Sequence, residues 1–189
     1  VQNAYDAILQ RSHIDTDFIN PEIRITIDNH TLSIYDNGIG MDADGLKTHY
    51  WTAGSSGKNN PEARAAGVVG TFGVGAMANF GVCTELNVES KLYGTDITWL
   101  SGVKKSELSL SDNCIYISES KHNRSDFGTT IKVTISSDFM LNKDNALAYL
   151  KPYVRYLSVT VYLNDVLISQ ESYDITPVSY THLRAHETL

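Results

Sequence analysis

Apolar residues recur along this chain in two rhythms. In the opening stretch VQNAYDAILQR, Val1, Ala4, Ile8 and Leu9 fall on one side of a helical turn, which predicts an amphipathic helix already under way at the first residue. The chain is therefore expected to be a fragment whose true start lies upstream. The rhythm then changes to alternation. IRITID and LSIYD, separated by the turn-forming pair Asn29-His30, predict an antiparallel hairpin. DADGLKTHYW reads as helix, with Asp42 in the N-cap position. From Thr52 to Gly73 the text TAGSSGKNNPEARAAGVVGTFG loses periodicity, and so long a loop in a compact domain is expected to be a lid or binding loop. VGAMANF follows as a short helix opened by glycines. CTELNVESKLY, DITWLSGV, CIYISES and TTIKVTIS are β-rich runs separated by turn residues, and they predict a largely antiparallel sheet. NKDNALAYLKPYVRYLS returns to helix, expected to kink near Pro152, and VTVYLNDVLIS closes as a hairpin turning at Asn164-Asp165. The interleaving predicts an α/β two-layer sandwich, with helices packed on one face of a mixed, mostly antiparallel sheet.

Composition narrows the function classes. The 189 residues fit one domain with a real core, and the net charge of −7 comes with scattered lysines and arginines rather than a basic stripe. Direct nucleic-acid binding by this domain and attachment to an anionic membrane are therefore not expected. No apolar stretch is long enough to span a bilayer, and no signal peptide precedes the fold. Cys83 and Cys114 lack CxxC spacing and read as reduced thiols, which points to the cytoplasm. The last residues behave differently. VSYTHLRAHET, after Pro177, has no periodicity and resembles the translation of a transposon-type sequencing adapter, so residues 178–189 are expected to be a non-native tail on a domain of residues 1–177. Setting that tail aside removes His182 and His186, which with Glu187 imitate half a metal site. His13, His30, His49 and His122 share no ligand spacing, so no zinc site is expected.

Three motifs carry candidate chemistry. The first is SIYDNGIGMD, a strand-like run ending on Asp36 and then breaking into Gly38 and Gly40. Asn37-Gly38 is also a strong hairpin signal, but a hairpin needs a returning strand, and IGMDADGLKTHYW has helix chemistry. An ionised aspartate only accepts hydrogen bonds, so Asp36 at a strand end suits a ligand offering a donor, such as the amino group of a planar base. Gly38 and Gly40 are expected to let the ring approach the main chain, with Met41 packing on its face. The second motif, GTFGVGAMANF, places Gly70, Gly73 and Gly75 before a helix whose free N–H groups suit a phosphate. No Gly-Lys-Ser/Thr follows, so it is not a Walker loop. Gly73-Val-Gly75-Ala-Met-Ala78, with Glu89 downstream, also fits a relaxed dinucleotide fingerprint, but that pattern wants a hydrophobic strand before its first glycine. The third motif is Asn3, Asp6 and Ala7. Asn3 and Ala7 share a helix face; an amide oxygen there is a suitable hard ligand for Mg²⁺, and Ala7 leaves room for a base. An ordinary polar residue on a solvated face is the competing reading.

Together, from Val1 to about Ser169, these motifs resemble the GHKL ATPases, the superfamily of gyrase, the ninety-kilodalton heat-shock chaperone, histidine kinases and MutL. The glycine-rich stretch and the closing helix and hairpin look most like the chaperone branch. The resemblance implies a Bergerat-type ATP-binding fold. It implies that Asn3 is the metal-binding residue, that Asp36 reads adenine, and that Gly38 and Gly40 are its accompanying glycines. Gly70, Phe72, Gly73, Val74 and Gly75 correspond to the phosphate lid, and Thr129 in FGTTIKV to the threonine that helps hold adenine through water. Asp6 matches the family pattern too, as a cofactor-binding residue or as one that merely orients its neighbours. Lys58 reaches the terminal phosphate or is a solvated loop lysine. The family's general-base Glu stands one turn before the Asn, a position before Val1, so no catalytic residue is assigned within the chain. The cofactors implied are ATP and Mg²⁺, and the partners a second copy in the full-length protein and protein clients. A MutL-like or MORC-like repair, remodelling or defence module, and a non-hydrolysing ATP-sensing scaffold, are the alternatives.

Overall fold

The computed structural model describes residues 1–51, 81–108 and 114–172. The expected lid loop, the VGAMANF helix and the tail fall outside these. Helix α1 (Gln2–Ile14) buries Ala4, Asp6 and Ile8. Strands β1 (Glu22–Asp28) and β2 (Thr31–Asp36) form the expected antiparallel hairpin. A single turn, α2 (Ala43–Gly45), is capped by the Asp42 carboxylate, which accepts from the Gly45 N–H, and runs into a π-helical turn over Leu46–Tyr50. Then come β3 (Cys83–Lys91), β4 (Thr98–Lys104), β5 (Tyr116–Glu119) and β6 (Gly128–Ile135). Helix α3 (Lys143–Val154) starts at Asn142, whose side chain accepts from the Asn145 N–H. Pro152 lies inside this helix, which continues to Val154. Pro152 has no N–H to give to the carbonyl four residues back, and because the helix ends at Val154 the lost bond falls at its C-terminal end.

Strands β7 (Thr160–Leu163) and β8 (Val166–Leu167) close the chain. Their turn places Asn164 at φ 45° and Asp165 at φ 65°, the left-handed pair a tight two-residue hairpin requires. The Asn164 amide also exchanges hydrogen bonds with the Ile27 backbone, which pins the hairpin to β1.

The strands join one mixed eight-stranded sheet in the order β5-β4-β3-β6-β2-β1-β7-β8. Among the described residues β1 and β7 make the parallel pair, and the other neighbours are antiparallel. Side chains alternate between the faces of a sheet, so register decides which residues share the core. On the helix-covered face, Leu163, Ile25, Ile34, Ile131, Val88 and Ser101 lie side by side across six strands. Helices α1 and α3 pack on the β1 and β7 side, with Ala4, Ile8 and Val154 against Ile23, Ile25, Val161 and Leu163. Leu46 and Trp51 cover the other half, against Leu86, Val88, Val103 and Val133. The opposite face carries Arg24, Tyr35, Lys132, Asn87 and Glu89, the polar alternates of the same strands. The helix layer on one face of a mixed sheet is the architecture expected from sequence.

Candidate functional site

One row of the core face is not apolar. The next register position after Ile25, Ile34, Ile131 and Val88 holds Ile23, Asp36, Thr129 and Ser90. The three polar side chains are adjacent across β2, β6 and β3, and each is nearly removed from solvent: Asp36 is 5% exposed, Thr129 4% and Ser90 0%. Buried polar groups persist where they are hydrogen-bonded or where they serve a ligand.

Asp36 shows both features. Its Oδ1 accepts from the Gly38 N–H at 3.0 Å and from the Thr129 N–H at 3.3 Å. Both of these bonds go to one oxygen, and Oδ2 has no hydrogen-bond partner among the described residues. Burial pushes the carboxyl up to about 7, and the Gly38 N–H, the Arg124 charge and the Thr129 N–H only partly offset it. An acceptor-rich, poorly solvated carboxylate of this kind gains most from a ligand that brings its own hydrogen-bond donor.

The loop after Asp36 is tied on two sides. The Ile39 N–H donates to the Ala7 carbonyl of α1 at 2.9 Å, and the Met41 N–H donates to Ser90 Oγ at 2.8 Å. The glycines have a reason within the fold itself. A Cβ on Gly38 would lie 2.6 Å from the Ala7 carbonyl carbon, so the helix backbone already fills that space. Gly40 has φ +68°, and a Cβ there would overlap the Lys91 carbonyl. The two glycines let the loop wedge between α1 and the end of β3. Met41 is half-buried and packs against the cluster of Leu46, Trp51 and Val88.

That wedge brings the first motif to the third. Ala7 touches the loop directly. Asn3, one turn earlier and about 6 Å along the axis, is exposed on the same helix. Asp6 is fully buried on the same helix and accepts from Gln2 Nε2 at 2.9 Å. The structure therefore brings together Ala7, Asp36, Gly38, Gly40, Met41 and Thr129, with Asn3 one helical turn away. Lys58, Gly70, Phe72, Gly73, Val74 and Gly75 lie outside the described residues.

Three residues not singled out in the sequence complete the arrangement. Ser90 Oγ is 2.9 Å from Thr129 Oγ1 and 3.2 Å from the Gly128 carbonyl. Gly128 has φ +117°, and a Cβ there would overlap the Asp36 carbonyl, so only glycine lets β6 start against β2 at this point. Arg124, with a side chain 6% exposed, reaches the Glu89 and Gly128 carbonyls at 3.1 Å each and Asp126 at 3.3 Å. Asp126 also accepts the Tyr35 hydroxyl. Its partial burial opposes ionisation, but the Tyr35 and Arg124 hydrogen bonds and the Arg124 charge hold it below the usual carboxylate range. The glycine before a strand was a readable signal for Gly128. Ser90 carries none, because only the β3–β6 register puts it in the Asp36 row, and Arg124 reaches the Gly128 carbonyl from the segment before β6.

A separate cleft of about 350 Å³ is lined by Arg11, Phe18, Tyr35, Asn37, Asp126 and Phe127. Tyr35 and Asn37 flank Asp36, and by strand alternation Tyr35 faces away from the helix layer, so this cleft is distinct from the Asp36 site. Among the described residues no helix is long and apolar enough to cross a membrane.

Comparison with known proteins bears on this arrangement. Residues 1–127 match the family model described as histidine kinase-, DNA gyrase B-, and HSP90-like ATPase. A chaperone protein HtpG of Borrelia garinii is 29% identical over 181 residues, covering 86% of this chain and 28% of that protein. HtpG of Campylobacter jejuni is 28% identical over 149 residues, covering 75% and 23%. HtpG of Bacillus velezensis is 34% identical over 110 residues, covering 51% and 18%. The chain thus spans less than a third of the length of these relatives.

Proposed function

From a chain that belongs to the histidine kinase-, DNA gyrase B- and HSP90-like ATPase family, we propose an ATP-binding and ATP-hydrolysing domain of a heat-shock-ninety-type chaperone. The observation that carries the reading is Asp36, a buried carboxylate with one oxygen saturated by backbone N–H groups and the other open beside Thr129. The open oxygen is suited to accept the exocyclic amino group of adenine. Gly38, Gly40 and Met41 shape that side of the pocket by holding the loop in place, and Ala7 closes it from α1. Gly70, Phe72, Gly73, Val74 and Gly75 are assigned to the triphosphate, with Lys58 toward its terminal phosphate.

The Asn3 side chain, at the exposed edge of α1, fits a Mg²⁺ ion through its amide oxygen, a hard neutral donor. Bound there, the metal supplies charge neutralisation at the phosphates. Hydrolysis further requires a base to orient water, assigned to a carboxylate one turn before Asn3, upstream of Val1. The chaperone name of the relatives favours that branch over a MutL-like or MORC-like module. In this reading the full-length protein is a homodimer acting on protein clients in the cytoplasm, with residues 1–177 as the domain and 178–189 as a foreign tail.

The test is a titration of a fluorescent ATP analogue into this chain in the presence of Mg²⁺. Saturable binding displaced by ATP is expected, and Asp36→Asn should weaken it by roughly 100-fold or more while the circular dichroism spectrum stays unchanged. Unaltered affinity in that variant would remove the adenine assignment.

A further inference from the structure

Ser90 is completely buried, and its hydroxyl meets three groups: the Met41 N–H at 2.8 Å, the Gly128 carbonyl at 3.2 Å and Thr129 Oγ1 at 2.9 Å. A backbone N–H only donates, a carbonyl only accepts, and a serine hydroxyl has a single hydrogen. One arrangement satisfies all three contacts at once. Ser90 accepts from Met41 and from the Thr129 hydroxyl, and gives its own hydrogen to Gly128. Thr129 then directs its only hydroxyl hydrogen inward and turns lone pairs toward whatever lies beside Asp36. We propose that Ser90 is a positioning residue that sets base specificity: by holding the Thr129 hydrogen, it makes Thr129 and the ionised form of Asp36 an acceptor-only wall that admits a 6-aminopurine and rejects a 6-oxopurine. This rests on the adenine-nucleotide reading of the site.

The second acceptor matters because a carboxylate alone does not discriminate fully. A 6-oxopurine has an N1–H next to its C6 carbonyl. By sliding along the pocket it could offer that N1–H to Asp36 and set its carbonyl opposite Thr129. If the Thr129 hydroxyl were free to turn outward, both contacts of that pose would be satisfied. With the hydrogen held by Ser90, the carbonyl faces a lone pair in a poorly solvated site, and an acceptor left without a donor there is costly. A 6-amino group instead carries two hydrogens, enough to serve both acceptors directly or through a bridging water.

The backbone fixes this relay. Register sets Ser90 opposite Thr129 and Thr129 opposite Asp36. The Gly128 carbonyl that takes the Ser90 hydrogen belongs to a residue held at φ +117° against the Asp36 backbone. Arg124 holds the same carbonyl from its other side at 3.1 Å.

The experiment compares ATP with inosine triphosphate, which differs in the group at C6, by displacement of the fluorescent analogue from the unmodified chain, Ser90→Ala and Ser90→Cys, at about pH 8, where the Asp36 carboxyl is mostly ionised. The unmodified chain should prefer ATP. In Ser90→Ala that preference should fall by about tenfold or more through a gain in inosine-nucleotide affinity, with Ser90→Cys between the two because a thiol is a weak acceptor. A role limited to structure would weaken both nucleotides together and leave their ratio alone. A ratio unchanged in Ser90→Ala, or in the near-isosteric Ser90→Cys should the alanine variant not fold, overturns the proposal. So does an unmodified chain that binds both nucleotides equally. A chain that binds neither overturns the adenine reading itself.

Discussion

Two neighbouring rows of the same four strands have opposite chemistry. Ile25, Ile34, Ile131 and Val88 lie in one, and Ile23, Asp36, Thr129 and Ser90 in the next, on the same face and under the same helix layer. Burying the aliphatic row stabilises the fold by removing apolar surface from water, at about 25 cal/mol per Å². The polar row offers little of this and carries a desolvation cost at Asp36. Ser101, in line with the aliphatic row on β4, shows how a polar group is made harmless there. It accepts from Trp51 Nε1 at 2.7 Å and donates to the Tyr116 carbonyl at 2.8 Å. Asp36 is left with an open oxygen instead. A sheet optimised for stability alone would have continued the aliphatic pattern to the strand ends, and this departure is the feature from which the nucleotide site is proposed.

The largest effect expected from this contrast is a dependence of stability on pH that originates in Asp36. Its carboxyl is raised from the usual 3.8 to about 7. Between those values the folded domain keeps a proton that the unfolded chain has released. Stability of the ligand-free domain should therefore fall as pH rises from about 4 to 7, by up to about 4 kcal/mol at ~1.4 kcal/mol per pH unit. Urea denaturation across this range reads it, and Asp36→Asn should flatten the curve. Nucleotide affinity should run the other way and strengthen as pH rises through about 7, because an amino donor favours the ionised carboxylate.

Gly128→Ala comes next. A Cβ there overlaps the Asp36 carbonyl at a φ that side chains avoid, so a loss of about 3 kcal/mol in denaturant unfolding is expected, together with weakened nucleotide binding. In the aliphatic row, Val88→Ala should cost about 2 kcal/mol of stability while nucleotide affinity changes by less than about threefold. Comparable damage to binding from Val88→Ala would show that the rows are not functionally separate. The smallest stability effect belongs to Asn3→Ala, at an exposed helix position, which should stay within about 0.5 kcal/mol. Its consequence should instead be loss of the Mg²⁺ dependence of ATP binding, and a variant still responding to the metal would place the ligand elsewhere.

Local chemistry was legible where it is local. Alternation in IRITID and LSIYD, the Asn164-Asp165 turn and the Asp42 cap each depend on residues within a few positions of one another, and each is found where its pattern indicated. Asp36 was legible as well, because an acid followed by two spaced glycines breaks a strand pattern that hairpin chemistry does not account for. The purpose of those glycines was not. Gly38 meets Ala7, and Gly40 meets Lys91. These are contacts between parts of the chain far apart in sequence, and no spacing rule contains them.

Among the described residues, sequence alone determined the strands and the two longer helices, that they layer as an α/β sandwich, and that an acceptor stands at the end of β2. Periodicity and turn chemistry are properties of neighbouring residues, so they survive without knowledge of the rest of the fold. Only the tertiary structure decided what surrounds that acceptor. The pairing of β6 with both β2 and β3 brings Thr129 and Ser90 into its row, and a shift of one residue in either register would turn them to the solvent face. Register is set by the packing of the whole sheet, and for that reason the partners of Asp36 cannot be read from any one strand.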